Sequence, residues 1–128
     1  MDALNPNELE VLRILWEDGE QKPPEIEAAF SWPIDNGTLR SVLRVLMDKD
    51  LVARRRMGKA YYYKAKKSRE GVMSRMARQM AHVFSGGSTT DLIAQLIKTE
   101  KLTPQELTEL RRIAQTDSKP AASKRRKR

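Results

Sequence analysis

Asp35-Asn36-Gly37-Thr38-Leu39-Arg40-Ser41-Val42-Leu43-Arg44-Val45-Leu46-Met47 carries a helical pattern, and Leu51-Val52-Ala53-Arg54-Arg55-Arg56-Met57-Gly58-Lys59-Ala60-Tyr61-Tyr62-Tyr63-Lys64 follows it with the pattern of a tight hairpin. In the first stretch Leu39, Val42, Leu43, Leu46 and Met47 recur at steps of three and four, so they share one face of a helix. At about 100° per residue, Gly37, Arg40, Ser41 and Arg44 fall on the opposite face. Asp35 or Asn36 can cap the start by accepting a free backbone N–H. That end also carries the positive pole of the helix dipole, which suits a phosphate.

In the second stretch Met57-Gly58-Lys59 supplies the turn, with Gly58 able to take a positive φ without steric cost. Val52, Tyr61, Tyr62 and Tyr63 are strong strand formers. Alternation puts Tyr61 and Tyr63 on one face and Tyr62 on the other, and at least one tyrosine is expected to be ordinary core. Three adjacent arginines, Arg54, Arg55 and Arg56, repel one another beside the turn unless an anion sits nearby. A helix running straight into a basic hairpin is the layout of a winged helix, in which the helix enters a DNA groove and the hairpin lies along the backbone. Taken alone, Arg40 and Arg44 would be a solvated helix face. The hairpin beside them makes Thr38, Arg40, Ser41 and Arg44 candidate groove contacts, and Arg54, Arg55, Arg56 and Lys59 candidate phosphate contacts.

Charge is segregated along the chain in the same sense. Of the 128 residues, 25 are Lys or Arg and 17 are Asp or Glu, a formal net charge of +8. Residues 1–34 hold two basic residues, Arg13 and Lys22, against eight acidic ones. Residues 35–64 hold eight basic against three acidic, so the sign switches where the helix–hairpin unit begins. A net positive charge alone fits any polyanion, whereas its concentration on one helix and one hairpin points to DNA.

Composition narrows the class further. A chain of 128 residues supports one compact domain with an appendage, or two very small domains. With 33% charged residues and no apolar run near the roughly 18 needed to span a bilayer, a cytoplasmic location is expected. The chain has no cysteine and one histidine, His82, so no disulfide framework, metal site or cofactor is expected. No Gly-rich phosphate loop or nucleophile elbow occurs, and Gly86-Gly87 reads as a linker pair; the chain is not expected to be an enzyme.

Upstream, Asn5 as N-cap, Pro6 at the first helical position and Glu8 completing a capping box open a helix with Leu9, Leu12, Leu15 and Trp16 on one side. Gly19 ends it, and Pro23-Pro24 starts a second helix through Ile26, Ala29 and Phe30. Trp16, Phe30 and Trp32 are expected in the shared core. Downstream, Val72, Met73, Met76, Ala77, Met80, Val83 and Phe84 mark one face of a helix that Gly86-Gly87-Ser88 breaks. Asp91 to Lys98 reads as a short helix with Leu92, Ile93, Leu96 and Ile97 inward, and Thr103-Pro104-Gln105-Glu106 as a capping box opening a helix with Leu107, Leu110, Ile113 and Ala114 on one side. These helices hold too little apolar surface to close a core of their own. Met73, Met76, Met80, Phe84, Leu92, Leu96, Leu107 and Leu110 are therefore expected to pack across a two-fold axis against a second copy, the alternative being that these helices fold back on the N-terminal domain. The expected organisation is mainly α with a small β-hairpin wing: a winged helix-turn-helix DNA-binding domain over 1–66, a helical dimerisation region over 67–115, and a disordered basic tail over 116–128.

With these residues placed, the chain resembles the penicillinase-repressor family of bacterial winged-helix regulators, over about Leu4 to Ile113. Leu9-Glu10-Val11-Leu12-Arg13-Ile14-Leu15-Trp16 is similar to the family's opening helix. Thr38-Leu39-Arg40-Ser41-Val42-Leu43 is similar to its recognition helix, and Gly58-Lys59-Ala60-Tyr61-Tyr62-Tyr63 to its wing. Phe84-Ser85-Gly86-Gly87-Ser88 and Glu100-Lys101-Leu102-Thr103 resemble its dimerisation helices. The resemblance implies a homodimer that represses transcription from a palindromic operator. Protease-controlled members carry a cleavable Asn-Phe pair where this chain has Gln95-Leu96, and the copper-responsive branch carries cysteines that this chain lacks. Two alternatives remain beside a sequence-specific repressor. One is a winged helix used as a protein-interaction module, against which the surplus of arginine counts. The other is non-specific DNA binding driven by the tail, which would be indifferent to sequence and strongly weakened by salt.

Overall fold

A computed structural model of the chain describes residues 3–116. In chain order the elements are α1 (Pro6–Asp18), α2 (Pro23–Ala29), α3 (Asn36–Asp48), β1 (Val52–Met57), β2 (Ala60–Ala65), α4 (Arg69–Ser85), α5 (Thr89–Glu100) and α6 (Pro104–Ala114). β1 and β2 form an antiparallel hairpin. The fold is mainly α, a winged helix-turn-helix followed by further helices. It divides into two compact units, one ending at Arg75 and the other beginning at Met76. Of the expected basic tail over 116–128, residues 117–128 lie outside the described residues.

In the first unit α1 starts as its local chemistry dictates. The Asn5 side chain accepts the Glu8 N–H at 2.8 Å, and the Glu8 carboxylate accepts the Asn5 N–H at 2.9 Å. Gly19, at φ +84°, turns the chain out of the helix. Val11, Leu12, Ile14 and Leu15 of α1 are buried together with Ile26 of α2, Leu39, Leu43 and Leu46 of α3, and Leu51, Val52 and Tyr63 of the hairpin. Each such side chain contributes about 1.5–3 kcal/mol by leaving water. That common core is what holds three helices and a wing in one body.

Two carboxylates inside this unit fix the helices relative to one another. Glu10, almost fully buried, accepts two hydrogen bonds from Arg13 at 3.0 and 2.7 Å. It also accepts the Ser31 N–H and the Ser31 hydroxyl, both at 2.8 Å, which ties α1 to the turn after α2. The Arg13 guanidinium, helped by Ser31, holds the Glu10 carboxyl at about 2, well below its usual 4.5. Glu8, also buried, receives the Lys49 amine at 3.2 Å from each carboxylate oxygen, which links the start of α1 to the residue that ends α3.

The aromatic residues depart from expectation. Trp32 is not core: it stays 41% exposed, edge-on to Phe30 at 5.7 Å, with its indole N–H donated to the Asn7 side chain at 2.9 Å. Trp16 and Phe30 are half-buried, because the Trp16 indole N–H must reach the Lys67 carbonyl at 2.9 Å, and α2 stops at Ala29 with Phe30 as its cap. Tyr63 is the tyrosine that joins the core.

In the second unit Ser88 caps α5 by accepting the Asp91 N–H at 3.0 Å, and Thr103 and Glu106 form the expected capping box at the start of α6. α5 is longer than its apolar pattern indicated, running from Thr89 to Glu100. Ala81 and Leu92 are buried, but Ile93 and Leu96, expected inward, are exposed. Too few helices surround α5 to enclose both of its apolar rows.

Glu10 provides a test of this network. Its depressed value means that its contribution is complete above pH 4.5 and is lost as pH falls from 4.5 toward about 2. Glu10→Gln is expected to lower stability at neutral pH by about 1–3 kcal/mol and to flatten the decline in stability over that acid range, as measured by chemical denaturation across pH.

Candidate nucleic-acid interface

The orientation of α3 is set by its apolar side. With Leu39, Val42, Leu43 and Leu46 buried, Thr38, Arg40, Ser41 and Arg44 all stand exposed on the other side. Asp35 is the cap: its carboxylate accepts the Thr38 N–H at 2.8 Å and the Thr38 hydroxyl at 3.2 Å. The Thr38 N–H, then its hydroxyl, holds the Asp35 carboxyl below the usual range. Arg40 donates Nε to the Asn36 side chain at 2.9 Å, which leaves its two terminal nitrogens for another acceptor.

The wing turns through two residues, Gly58 and Lys59, with Met57 already paired to Ala60. Gly58 takes φ +62°, the first-position requirement of a tight hairpin turn. Arg54 lies opposite Tyr63, Arg55 opposite Tyr62 and Arg56 opposite Tyr61. The Arg54 guanidinium sits 4.0 Å from the centre of the Tyr61 ring and donates to the Tyr63 hydroxyl at 3.3 Å. Arg56 lies 6.0 Å from the same ring and donates Nε to the Gly58 carbonyl at 3.0 Å. Arg55 faces the other way and is clamped by Glu20 through two bonds of 2.8 and 2.9 Å. The expected crowding of three arginines is therefore relieved within the chain: strand alternation separates Arg55 from its neighbours, and its counter-ion is Glu20 rather than an external anion. The Arg55 hydrogen bond in turn holds the Glu20 carboxyl below its usual value.

Immediately after Glu20, Gln21 pairs with Tyr63 as a short third edge of the hairpin, with N–H to carbonyl bonds of 3.0 and 2.7 Å. The wing is thus fastened to the α1–α2 linker by an ion pair and a pair of backbone bonds. Lys22 comes next. It lines a groove of about 300 Å³ with Pro23 and Pro24, Arg40 of α3, and Lys59 and Tyr61 of the wing. Lys22 lies in the acidic first quarter of the sequence, where nothing marks it as a site residue, and only the folded linker brings it beside α3.

Ion pairs partition the charge. Glu8 takes Lys49, Glu10 takes Arg13, Glu17 takes Arg13 and Arg69, Glu20 takes Arg55, and Asp50 takes Lys66 and Lys67. Among the described residues, Lys22, Arg40, Arg44, Arg54, Arg56 and Lys59 form no ion pair. These six cations sit on the α2 start, α3 and the wing. Of the residues expected at a shared interface, Met73, Met80 and Phe84 of α4, Leu96 of α5, and Leu107 and Leu110 of α6 are exposed; Met76 is half-buried and Leu92 is buried. Among the described residues no helix is long and apolar enough to cross a membrane, and no group of side chains could hold a metal ion.

A recognition helix with an outward cationic face, flanked by a basic wing fastened to the same body, defines a winged-helix DNA-binding transcriptional regulator. The chain belongs to the penicillinase repressor family, which matches residues 4–116. It is 25% identical over 114 residues to the penicillinase repressor of Staphylococcus aureus, covering 88% of this chain and 90% of that one. Solved structures share the fold. One is a possible transcriptional regulator for arsenical resistance, at TM-score 0.51 and 23% identity, covering 71% of this chain and 88% of that one. Another is the YusO protein of Bacillus subtilis, at TM-score 0.51 and 21% identity, covering 87% of this chain and 72% of that one.

Proposed function

We propose that the chain is a homodimeric repressor that binds a palindromic operator. The observation that carries this reading is the exposed side of α3, where Arg40 and Arg44 face outward without a carboxylate partner, beside a wing on which Arg54, Arg56 and Lys59 likewise form no ion pair. Arg40 reads a base edge or its adjoining phosphate in the major groove, and Thr38 and Ser41 bond beside it. Arg54, Arg56 and Lys59 contact phosphates, with Arg44 a weaker contributor. Arg55 reaches a phosphate only by leaving Glu20, so its first duty is to hold the wing in place. Residues 1–66 form the DNA-binding part, 67–115 the dimerisation region, and the basic tail over 116–128 adds affinity without sequence preference. A cytoplasmic location accords with this role.

Dimerisation is supported by the apolar side chains that α4, α5 and α6 leave in water. Met73 and Phe84 are each 62% exposed and Leu96 is 46% exposed, an unusual outlay of large apolar surface for a soluble chain. Packed across a two-fold axis, they would set two recognition helices on half-sites about one helical turn, 34–36 Å, apart or a multiple of it.

Arg40→Ala is expected to lose about 1–3 kcal/mol of binding to the preferred duplex while its circular dichroism is unchanged, and unaltered affinity and sequence preference would sink the assignment. For the dimer, the intact chain should sediment as two copies at micromolar concentration. Phe84→Asp with Leu96→Glu, both exposed positions, should give a folded monomer that no longer holds the full operator; a monomeric parent chain would contradict the dimer.

A further inference from the structure

The groove between the α1–α2 linker, α3 and the wing tip is lined by three cations and a group of apolar side chains. Its cations come from three separate parts of the chain: Lys22 from the linker, Arg40 from α3 and Lys59 from the turn of the wing. None of the three forms an ion pair among the described residues. The rest of the lining is Pro23, Pro24, Ala60 and Tyr61, whose side chains are apolar apart from the tyrosine hydroxyl. Three positive charges held in such a lining repel one another, and a ligand that joins one anionic group to a compact apolar ring answers both features.

The parts that shape the groove are rigid. The two backbone bonds between Gln21 and Tyr63 fix the residue before Lys22, and the Glu20–Arg55 pair fixes the one before that. The Lys22 backbone N–H is taken by the Glu25 carboxylate at 2.9 Å, while its amine lies 5.9 Å from the centre of the Tyr62 ring. The amine therefore keeps all three of its donors for an acceptor.

Resting on the proposed function, we infer that this groove seats one sugar–phosphate unit of the DNA backbone, with Lys22 as a phosphate contact and the two prolines and Tyr61 beneath the deoxyribose. Within the Glu20-Gln21-Lys22 linker, Glu20 and Gln21 then fasten the wing and Lys22 supplies a cation between wing and recognition helix. The contact is with the backbone, so it strengthens binding to every sequence equally.

The test uses the full chain and a duplex selected by it from genomic DNA, titrated over a series of salt concentrations. Lys22→Gln is expected to lower the slope of log affinity against log salt by about one, and to weaken binding about tenfold near 0.1 M salt, with sequence preference intact. Lys22→Arg is expected to restore the slope. An unchanged slope in Lys22→Gln, with the parent chain binding normally, would overturn the groove and leave the proposed function standing. Displacement of the duplex by millimolar deoxyadenosine monophosphate from the parent chain, but not from Lys22→Gln, would make this a free-nucleotide site and overturn it too. If the parent chain binds no duplex at all, the proposed function falls and this inference falls with it.

Discussion

Burial of Leu39, Leu43 and Leu46 in the core that α3 shares with α1 leaves α3 one permissible rotation about its axis. Turning it by a single residue, about 100°, would carry Arg40 toward the core, where an unpaired guanidinium costs several kcal/mol. The apolar contact is non-directional, yet through this exclusion it aims Arg40, Ser41 and Arg44 outward. The two ends of α3 are then pinned by more specific bonds. Asp35 closes the first turn on Thr38, and Lys49 at the far end is held by the buried Glu8 of α1.

From that orientation the division of charge acquires its meaning. The first 34 residues are strongly acidic, and free carboxylates beside a DNA-binding face would repel phosphate. Glu8, Glu10, Glu17 and Glu20 are instead occupied, each holding a cation of the same unit. Pairs such as Glu20–Arg55 stand largely in solvent and add little to stability. Their consequence is for the field around the molecule, because they cancel part of the charge and leave Lys22, Arg40, Arg44, Arg54, Arg56 and Lys59 without a carboxylate partner. A field shaped in this way raises the rate of encounter with a polyanion as well as its affinity.

What could be read in the sequence was what depends on neighbours along the chain. The caps at Asn5 and Thr103, the stop at Gly19, the two faces of α3 and the turn at Gly58 each follow from residues within one helical turn or one hairpin. Tertiary placement decided the rest. Three arginines in a row looked like a single cluster, but the pleat sent Arg55 to the side where Glu20 waits, 35 residues away in sequence. Trp32 looked like core by size alone, and its indole N–H, satisfied by Asn7, keeps it at the surface. Lys22 gave no signal at all, since its neighbours in the groove come from α3 and the wing. On α5 the apolar residues occupy more of the helix circumference than one packed face, so periodicity could not tell which row, Leu92 or Ile93 with Leu96, would be covered within the chain.

Selection of genomic fragments by the intact chain, followed by footprinting at two salt concentrations, decides whether recognition is sequence-specific and two-fold. A homodimeric repressor should enrich one two-fold symmetric sequence, with protection in two patches on one face of the duplex about one helical turn apart or a multiple of it, still visible at the higher salt. Fragments bound without regard to sequence, with uniform protection that vanishes as salt is raised, would contradict it.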